Sequence, residues 1–333
     1  MKLLAPAAKD ELTERSYWFK KPLARKLASK FKVEFGFEMK GDLEGLKSAL
    51  PLFWGVHLEN NLATNWYYHP EDRTEMLHEA TKVAKLKPNY AVLHGIHLER
   101  QPPRHDYIGR YINHSLPAEH FKLYKANIDL INTLKHYYHL KIENYPLTDL
   151  YFEDGNFLPY TYLYTGIGRL NDLIKVTKET NTEVLLDIEH LIQTLNLLNR
   201  EKNYHNLPIE KIEEFNLADR KVYELFGFHL KKGYIPYFEK KIEFKDFVKK
   251  ARSKYFHLTG STQDVDPGKK IWTHNPIEVG DKVFRKHLKI VLAQKPEVLV
   301  VEVASKSKSF NYLRENETEI SFDNVCKILL EEL

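Results

Sequence analysis

The stretch Val184-Leu185-Leu186-Asp187-Ile188-Glu189-His190 joins a short apolar run to a charged end. An apolar run of this length is typical of a strand that is buried on both faces, as in a parallel sheet. A core strand has no need of an aspartate at its end or of a histidine three residues later. In a (β/α) barrel, however, functional groups come from the carboxyl ends of several strands. The stretch therefore favours a barrel strand that ends at a metal site.

Seven other segments have the same apolar or β-branched character. The eight candidate strands are Leu3–Ala5, Lys32–Phe37, Leu52–Val56, Tyr90–Leu93, Leu140–Ile142, Glu183–Leu186, Tyr255–Phe256 and Glu297–Val301. Apolar residues at three- and four-residue spacing indicate helices between them. Strands that alternate with helices indicate a parallel α/β sheet, and eight such units favour closure into a (β/α)8 TIM barrel. A doubly wound open sheet is the alternative, but no glycine-rich phosphate fingerprint follows the first strand.

The predicted barrel is a single domain over residues 1–333 with one long connection. Between the sixth and seventh strands, from Asn199 to Arg252, the chain uses far more residues than one helix requires. A connection of this length at a barrel mouth is typical of a lid or a binding wall. Extra helices on the outside of the barrel are the alternative. We predict an insertion over residues 199–252 with one of these roles.

Composition narrows the class of protein. Hydrophobic residues make up 43% of the chain and aromatic residues 13%, which is enough for a large core. The net charge of +4 is compatible with a phosphate-bearing small molecule or nucleic acid but does not require one. The single cysteine, Cys326, sits among apolar residues and fits a reducing compartment. No apolar run could span a bilayer, so we predict a cytoplasmic protein without a membrane partner.

Histidines and carboxylates stand at or just after the carboxyl ends of six candidate strands. In chain order they are His57, His94, Glu143, Asp187 with His190, His257 with His274 in the following loop, and Glu302. Such a mixed set of nitrogen and oxygen donors suits zinc, manganese or iron. Apposed carboxylates without a cation would repel one another and take up protons. We predict two or more divalent ions, with zinc favoured over iron or manganese.

These residues resemble those of the xylose isomerase-like barrel superfamily, which includes sugar epimerases and endonuclease IV. The resemblance implies one metal on Glu143, Asp187, His257 and Glu302, with Glu143 and Glu302 as catalytic residues. Similarity to endonuclease IV implies further ligands at His57, His94, His190 and His274. In that family an aspartate stands where this chain has Trp272, which cannot coordinate a metal. Asp264, Asp266 or Asp281 could replace it, and the alternative is a dinuclear site on His57, His94, Glu143, Asp187, His257 and Glu302.

A second resemblance is to multinuclear non-haem iron-dependent oxidases, which modify peptides. It is carried by His257-Leu258-Thr259-Gly260, Thr273-His274-Asn275-Pro276-Ile277 and the pair Glu143-Asn144. Those enzymes also carry an aspartate at the position of Trp272. This resemblance implies a peptide partner and iron as the metal.

Four functions follow from these residues, and we rank phosphoester hydrolysis first. Basic residues of the top loops, such as Arg100 and Lys306, would meet the negative charge of a phosphate. The triplet Trp66-Tyr67-Tyr68 would stack on nucleobases or pack on the barrel. The alternatives are a peptide-modifying iron oxidase, a sugar isomerase or epimerase that uses one divalent metal, and a binding module without catalysis.

Overall fold

The computed structural model describes residues 1–40, 43, 46, 53–58, 60–96, 117–144, 151–153, 156–158, 170–192, 195, 243–261, 274–303 and 317–333. Eight parallel strands in these ranges form a closed barrel. They are β1 (Lys2–Ala7), β2 (Glu34–Met39), β3 (Trp54–His57), β4 (Tyr90–Leu93), β5 (Leu140–Glu143), β6 (Glu183–Asp187), β7 (Tyr255–Leu258) and β8 (Val298–Val301). Strand β1 pairs Leu3 with Phe35 of β2 and with Leu299 of β8, which closes the ring. The predicted (β/α)8 TIM barrel and its eight strands are confirmed.

Helices connect the strands. They are α1 (Leu12–Ser16), α2 (Pro22–Phe31), α3 (Asn60–Tyr68), α4 (Arg73–Ala84), α5 (Pro117–Leu134), α6 (Leu170–Thr180), α7 (Phe244–Ala251), α8 (Lys282–Leu292) and α9 (Glu317–Glu332). In the described ranges, 3-10 helices span Lys9–Glu11, Trp18–Lys20 and Pro70–Asp72. A separate antiparallel pair, Tyr151–Glu153 and Asn156–Leu158, follows β5. The strand–helix alternation places the carboxyl ends of all eight barrel strands at one mouth.

Among the residues that the structure describes, the apolar core has two parts. A large cluster lies between strands and helices and includes Leu3, Phe256 and Cys326. A smaller cluster, to which Leu4, Tyr90, Leu185 and Val300 belong, comes from strands alone and fills the inside of the barrel. Because successive strand residues point to opposite faces, adjacent residues such as Leu3 and Leu4 serve different clusters. The barrel interior is therefore packed below its functional mouth, as this fold requires.

Two sequence predictions outside the strands have a structural outcome. Helix α7 lies within the predicted 199–252 insertion. Its Phe244, Phe247 and Val248 are buried in the core, so the carboxyl-terminal part of the insertion packs as a helix of the barrel itself. Residues 196–242 lie outside the described residues, and a lid there stays a prediction. The triplet Trp66-Tyr67-Tyr68 forms the end of helix α3. Trp66 is buried and its indole nitrogen donates to Asp129, so this ring packs on the barrel and does not stack on a base.

Among the described helices, none has the length and apolar character that crossing a bilayer requires.

Candidate metal centre

Four predicted ligands meet at the carboxyl end of the barrel. Glu143 ends β5, Asp187 ends β6, His257 lies in β7 and Glu302 directly follows β8. One ligand atom from each lies within 4.8 Å of the others. Asp187 and His257 are register partners in neighbouring strands, which explains their proximity. All four side chains are buried, so this is an internal cluster of donors rather than a solvated acidic surface.

A second group of donors shares Glu143 with the first. Glu143 Oε2 lies 3.1 Å from His57 Nε2 and 2.7 Å from His94 Nε2. The other carboxylate oxygen, Oε1, lies 3.1 Å from His257 Nδ1. His57 and His94 are both buried, and their rings meet edge to face at 4.8 Å. Glu143 therefore presents one oxygen to each of two groups of donors.

Asn144 holds the ends of β5 and β6 together. Its side-chain amide donates to the Asp187 carbonyl at 2.9 Å, and the Asp187 backbone nitrogen donates back to Asn144 Oδ1 at 2.7 Å. The carboxylate of Asp187 also accepts a 2.8 Å hydrogen bond from the His190 backbone nitrogen. The second oxygen of Asp187, Oδ2, is buried and accepts no hydrogen bond from the described residues. These contacts orient Asp187 and leave one of its oxygens available for a cation.

His190 and His274 lie beside the two donor groups rather than inside them. His190 Nδ1 donates to the Asn144 carbonyl at 2.9 Å and lies 3.8 Å from Glu143 Oε1. The rings of His190 and His274 are 6.1 Å apart. The buried carboxylate of Glu189 accepts a hydrogen bond from the His274 backbone and lies 3.5 Å from its Nδ1. A third ion bound by His190 and His274 stays a prediction. The carboxylate of Glu189 lies beside His274 and would be close to such an ion.

Asp281 does not replace the aspartate missing at Trp272. It is the N-cap of α8, where it accepts hydrogen bonds from the backbone nitrogens of Phe284 and Ser261, each at 2.9 Å. A carboxylate used in this way stabilises the start of a helix. The expectation that Asp281 could serve as a ligand is therefore wrong. Trp272, Asp264 and Asp266, like Arg100 and Lys306, lie outside the described residues.

Sequence reasoning missed two charged residues near the end of β2. Glu38 is fully buried, and its oxygens lie 3.0 and 3.2 Å from His257 Nε2. Lys40 follows β2 and pairs with Glu302 across the mouth, while 38% of its side chain stays exposed. Glu38 could have been found, because it directly follows the apolar run Phe35-Gly36-Phe37. A carboxylate at the end of an apolar run is the pattern that identified Asp187. The strand predicted from the sequence ends at Phe37, two residues before the end of β2 at Met39.

Burial and mutual repulsion determine the charges of these groups. Burial, Glu302 and Glu143 raise the pKa of Asp187 to about 6, although His190 opposes the rise. Burial and Asp187 raise the pKa of Glu189 to about 8. Burial lowers the pKa of His257, but Glu302, Glu38 and Glu143 outweigh it and hold the pKa well above its ordinary value. Without a cation the site therefore retains protons, as expected for crowded carboxylates.

Metal binding should consequently be coupled to proton release. A ligand must lose its proton to bind, so metal affinity rises with pH until the ligand is deprotonated. The high pKa of His257 predicts that about one proton is released at pH 7 to 8 when an ion binds to the group of Glu143, Asp187, His257 and Glu302, and Asp187 adds a second below about pH 6. Calorimetric titration with Zn²⁺ in buffers of different ionisation enthalpy would measure this number. Proton release near zero throughout this range would contradict the prediction.

Fold and side chains together define a (β/α)8 barrel with a candidate metal centre at its mouth. No family model and no curated protein matches the chain. Endonuclease IV from Thermus thermophilus is similar in structure, with 12% identity, a TM-score of 0.46, and 100% of this chain and 99% of that chain covered. SacUVDE has 12% identity, full coverage of both chains and a TM-score of 0.49.

An L-ribulose 3-epimerase is also similar, with 11% identity, 93% of this chain and 88% of that chain covered, and a TM-score of 0.45. The strand topology confirms the predicted closed barrel, and the resemblance to xylose isomerase-like barrels stays a prediction. Support for a bound metal and for a reaction comes from the side chains of this chain and not from these similar structures.

Proposed function

We propose that this protein is a metal-dependent phosphoesterase that binds two divalent cations bridged by Glu143. The observation that carries the proposal is the division of the Glu143 oxygens between two groups of donors. One ion would be held by His57, His94 and Glu143 Oε2. The other would be held by Glu143 Oε1 with Asp187, His257 and Glu302. A shared carboxylate is the usual way to hold two ions about 3.5–4 Å apart.

The donor set fits such ions. Isolated buried carboxylates are costly unless a charge compensates them, and Glu143, Asp187 and Glu302 are all buried. Histidine nitrogens combined with carboxylate oxygens suit zinc, and also iron or manganese. Burial lowers the pKa of His94 to about 4, so this ring is neutral at pH 7 and ready to bind a metal. The proposal therefore places zinc first.

When bound, the two ions would supply a Lewis acid for a phosphoryl oxygen and a water molecule of lowered pKa. The protein itself contributes orientation and charge. Asn144 holds Asp187 at the end of β6 by a pair of hydrogen bonds. Glu302 lies at the mouth, where its carboxylate can orient a water molecule. Lys40, paired with Glu302 and partly exposed, is positioned to meet the negative charge of a phosphoester, whether a small molecule or nucleic acid.

The alternative reactions differ from hydrolysis either in the donors that they need or in the metal. A sugar isomerase or epimerase with one metal needs Glu143, Asp187, His257 and Glu302 but has no use for two histidines on the other oxygen of Glu143. An iron oxidase fits the same donors as a hydrolase and differs in the metal. Metal identity and number therefore separate the three reactions.

Elemental analysis of protein purified without added metal tests the proposal. We expect two zinc ions per chain and hydrolysis of bis(p-nitrophenyl) phosphate or of double-stranded DNA. A His57→Ala/His94→Ala variant should keep about one ion. His139→Ala, an exposed histidine at the opposite end of the barrel, should keep both. Iron with visible absorption would point to the oxidase, one Mn²⁺, Co²⁺ or Mg²⁺ would point to the isomerase, and no metal would refute the centre.

A further inference from the structure

His257 is held by carboxylates on both ring nitrogens. Nδ1 faces Glu143 and Glu302 in the candidate metal centre. Nε2, on the opposite side of the ring, lies 3.0 Å from Oε1 and 3.2 Å from Oε2 of Glu38. His257 and Glu38 are both fully buried. Glu38 belongs to neither group of potential metal ligands, so it contacts the centre through His257.

We infer that Glu38 is a positioning residue that fixes His257 in the form able to bind a metal through Nδ1. A carboxylate accepts hydrogen bonds, so the ring nitrogen beside Glu38 carries a proton, and Nδ1, on the side of the candidate metal centre, is the nitrogen that can bind a metal. A partner of this kind also raises the basicity of a histidine ligand. The inference rests on the proposed dinuclear centre and assigns Glu38 to one of its two ions, the one on Asp187, His257 and Glu302.

Tyr90 holds Glu38 in place from below. Its hydroxyl donates to Glu38 Oε2 at 2.6 Å, and its ring is part of the cluster that fills the barrel interior. Gly55 of β3 makes room for this ring, because a Cβ atom at Gly55 would collide with it. A column of Gly55, Tyr90, Glu38 and His257 thus runs from the barrel interior to the metal centre. Tight packing keeps each member of this column from moving independently.

Replacing Glu38 by glutamine tests the assignment. Because Tyr90 donates to Oε2, the new amide oxygen is favoured there, which turns the amide nitrogen toward His257 Nε2. A donor at that place favours the proton on Nδ1, which blocks the metal. We expect Glu38→Gln to weaken binding of one Zn²⁺ by about 10- to 100-fold and to leave the ion at His57 and His94 unchanged. Stepwise titration against a chromophoric chelator measures both affinities, and the visible spectrum of Co²⁺-loaded protein reports the coordination of each.

Two further variants complete the test. Glu34→Gln changes an exposed glutamate of the same strand and should leave both affinities unchanged. Tyr90→Phe keeps the ring but removes the hydroxyl, so it should fold and weaken the same ion by up to about tenfold. Wild-type affinity for both ions in folded Glu38→Gln and Tyr90→Phe, or equal weakening of both ions, would overturn the inference. Fewer than two ions in the wild-type protein would instead overturn the proposed dinuclear centre.

Discussion

Glu143→Gln is expected to abolish the dinuclear centre. Glutamine has nearly the size of glutamate, but its amide nitrogen cannot ligate a metal, so one side of the bridge loses its donor. We expect at least one of two ions to be lost and phosphoesterase activity to fall by about 10³-fold, since a metal contributes several kcal/mol to transition-state stabilisation. Metal analysis and steady-state hydrolysis of bis(p-nitrophenyl) phosphate measure the two effects.

The control for this variant is Glu297→Gln, which changes an exposed glutamate at the opposite end of the barrel. It should retain both ions and full activity. Retention of the wild-type metal content in Glu143→Gln would refute Glu143 as the bridge. Loss of activity with both ions retained would make Glu143 a catalytic group but not a ligand.

Removal of metal is expected to destabilise the whole barrel. Five carboxylates at the mouth, those of Glu38, Glu143, Asp187, Glu189 and Glu302, are buried. A ligand present at about 1,000 times its Kd stabilises the folded state by about 4 kcal/mol. For a chain of this size, losing that contribution lowers Tm by roughly 5–10 °C. Thermal unfolding with and without EDTA, followed by readdition of Zn²⁺, measures the change.

The decrease in Tm caused by EDTA should depend on pH and on the number of bound ions. Metal affinity should fall as pH falls, because His257 and then Asp187 retain protons, so the EDTA effect should be larger at pH 8 than at pH 6. Glu143→Gln, with fewer ions to lose, should show a smaller effect than wild type. Equal Tm values with and without chelator in wild-type protein that contained metal would contradict a stabilising centre.

The sequence alone predicted the strands and most of the residues that meet at their ends. Short apolar runs predict buried strands, and a charged residue at the end of such a run has no role in a core. This reasoning located Glu143, Asp187, His257 and Glu302. It missed Glu38, because the predicted strand ends at Phe37, and it offered Asp281 as a ligand where that side chain caps a helix. Spacing along the chain does not distinguish a ligand from an N-cap.

Local sequence therefore determined which segments are strands, and the barrel topology then placed the histidines and carboxylates at one mouth. Only the tertiary structure decided which oxygen of Glu143 faces His57 and His94 and which faces His257. It also decided that Glu38 lies behind His257, 219 residues away along the chain. The physical reason is that β2 and β7 are not neighbours in the sheet. Their inward-facing side chains meet only across the interior of the closed barrel, a contact that no local pattern encodes.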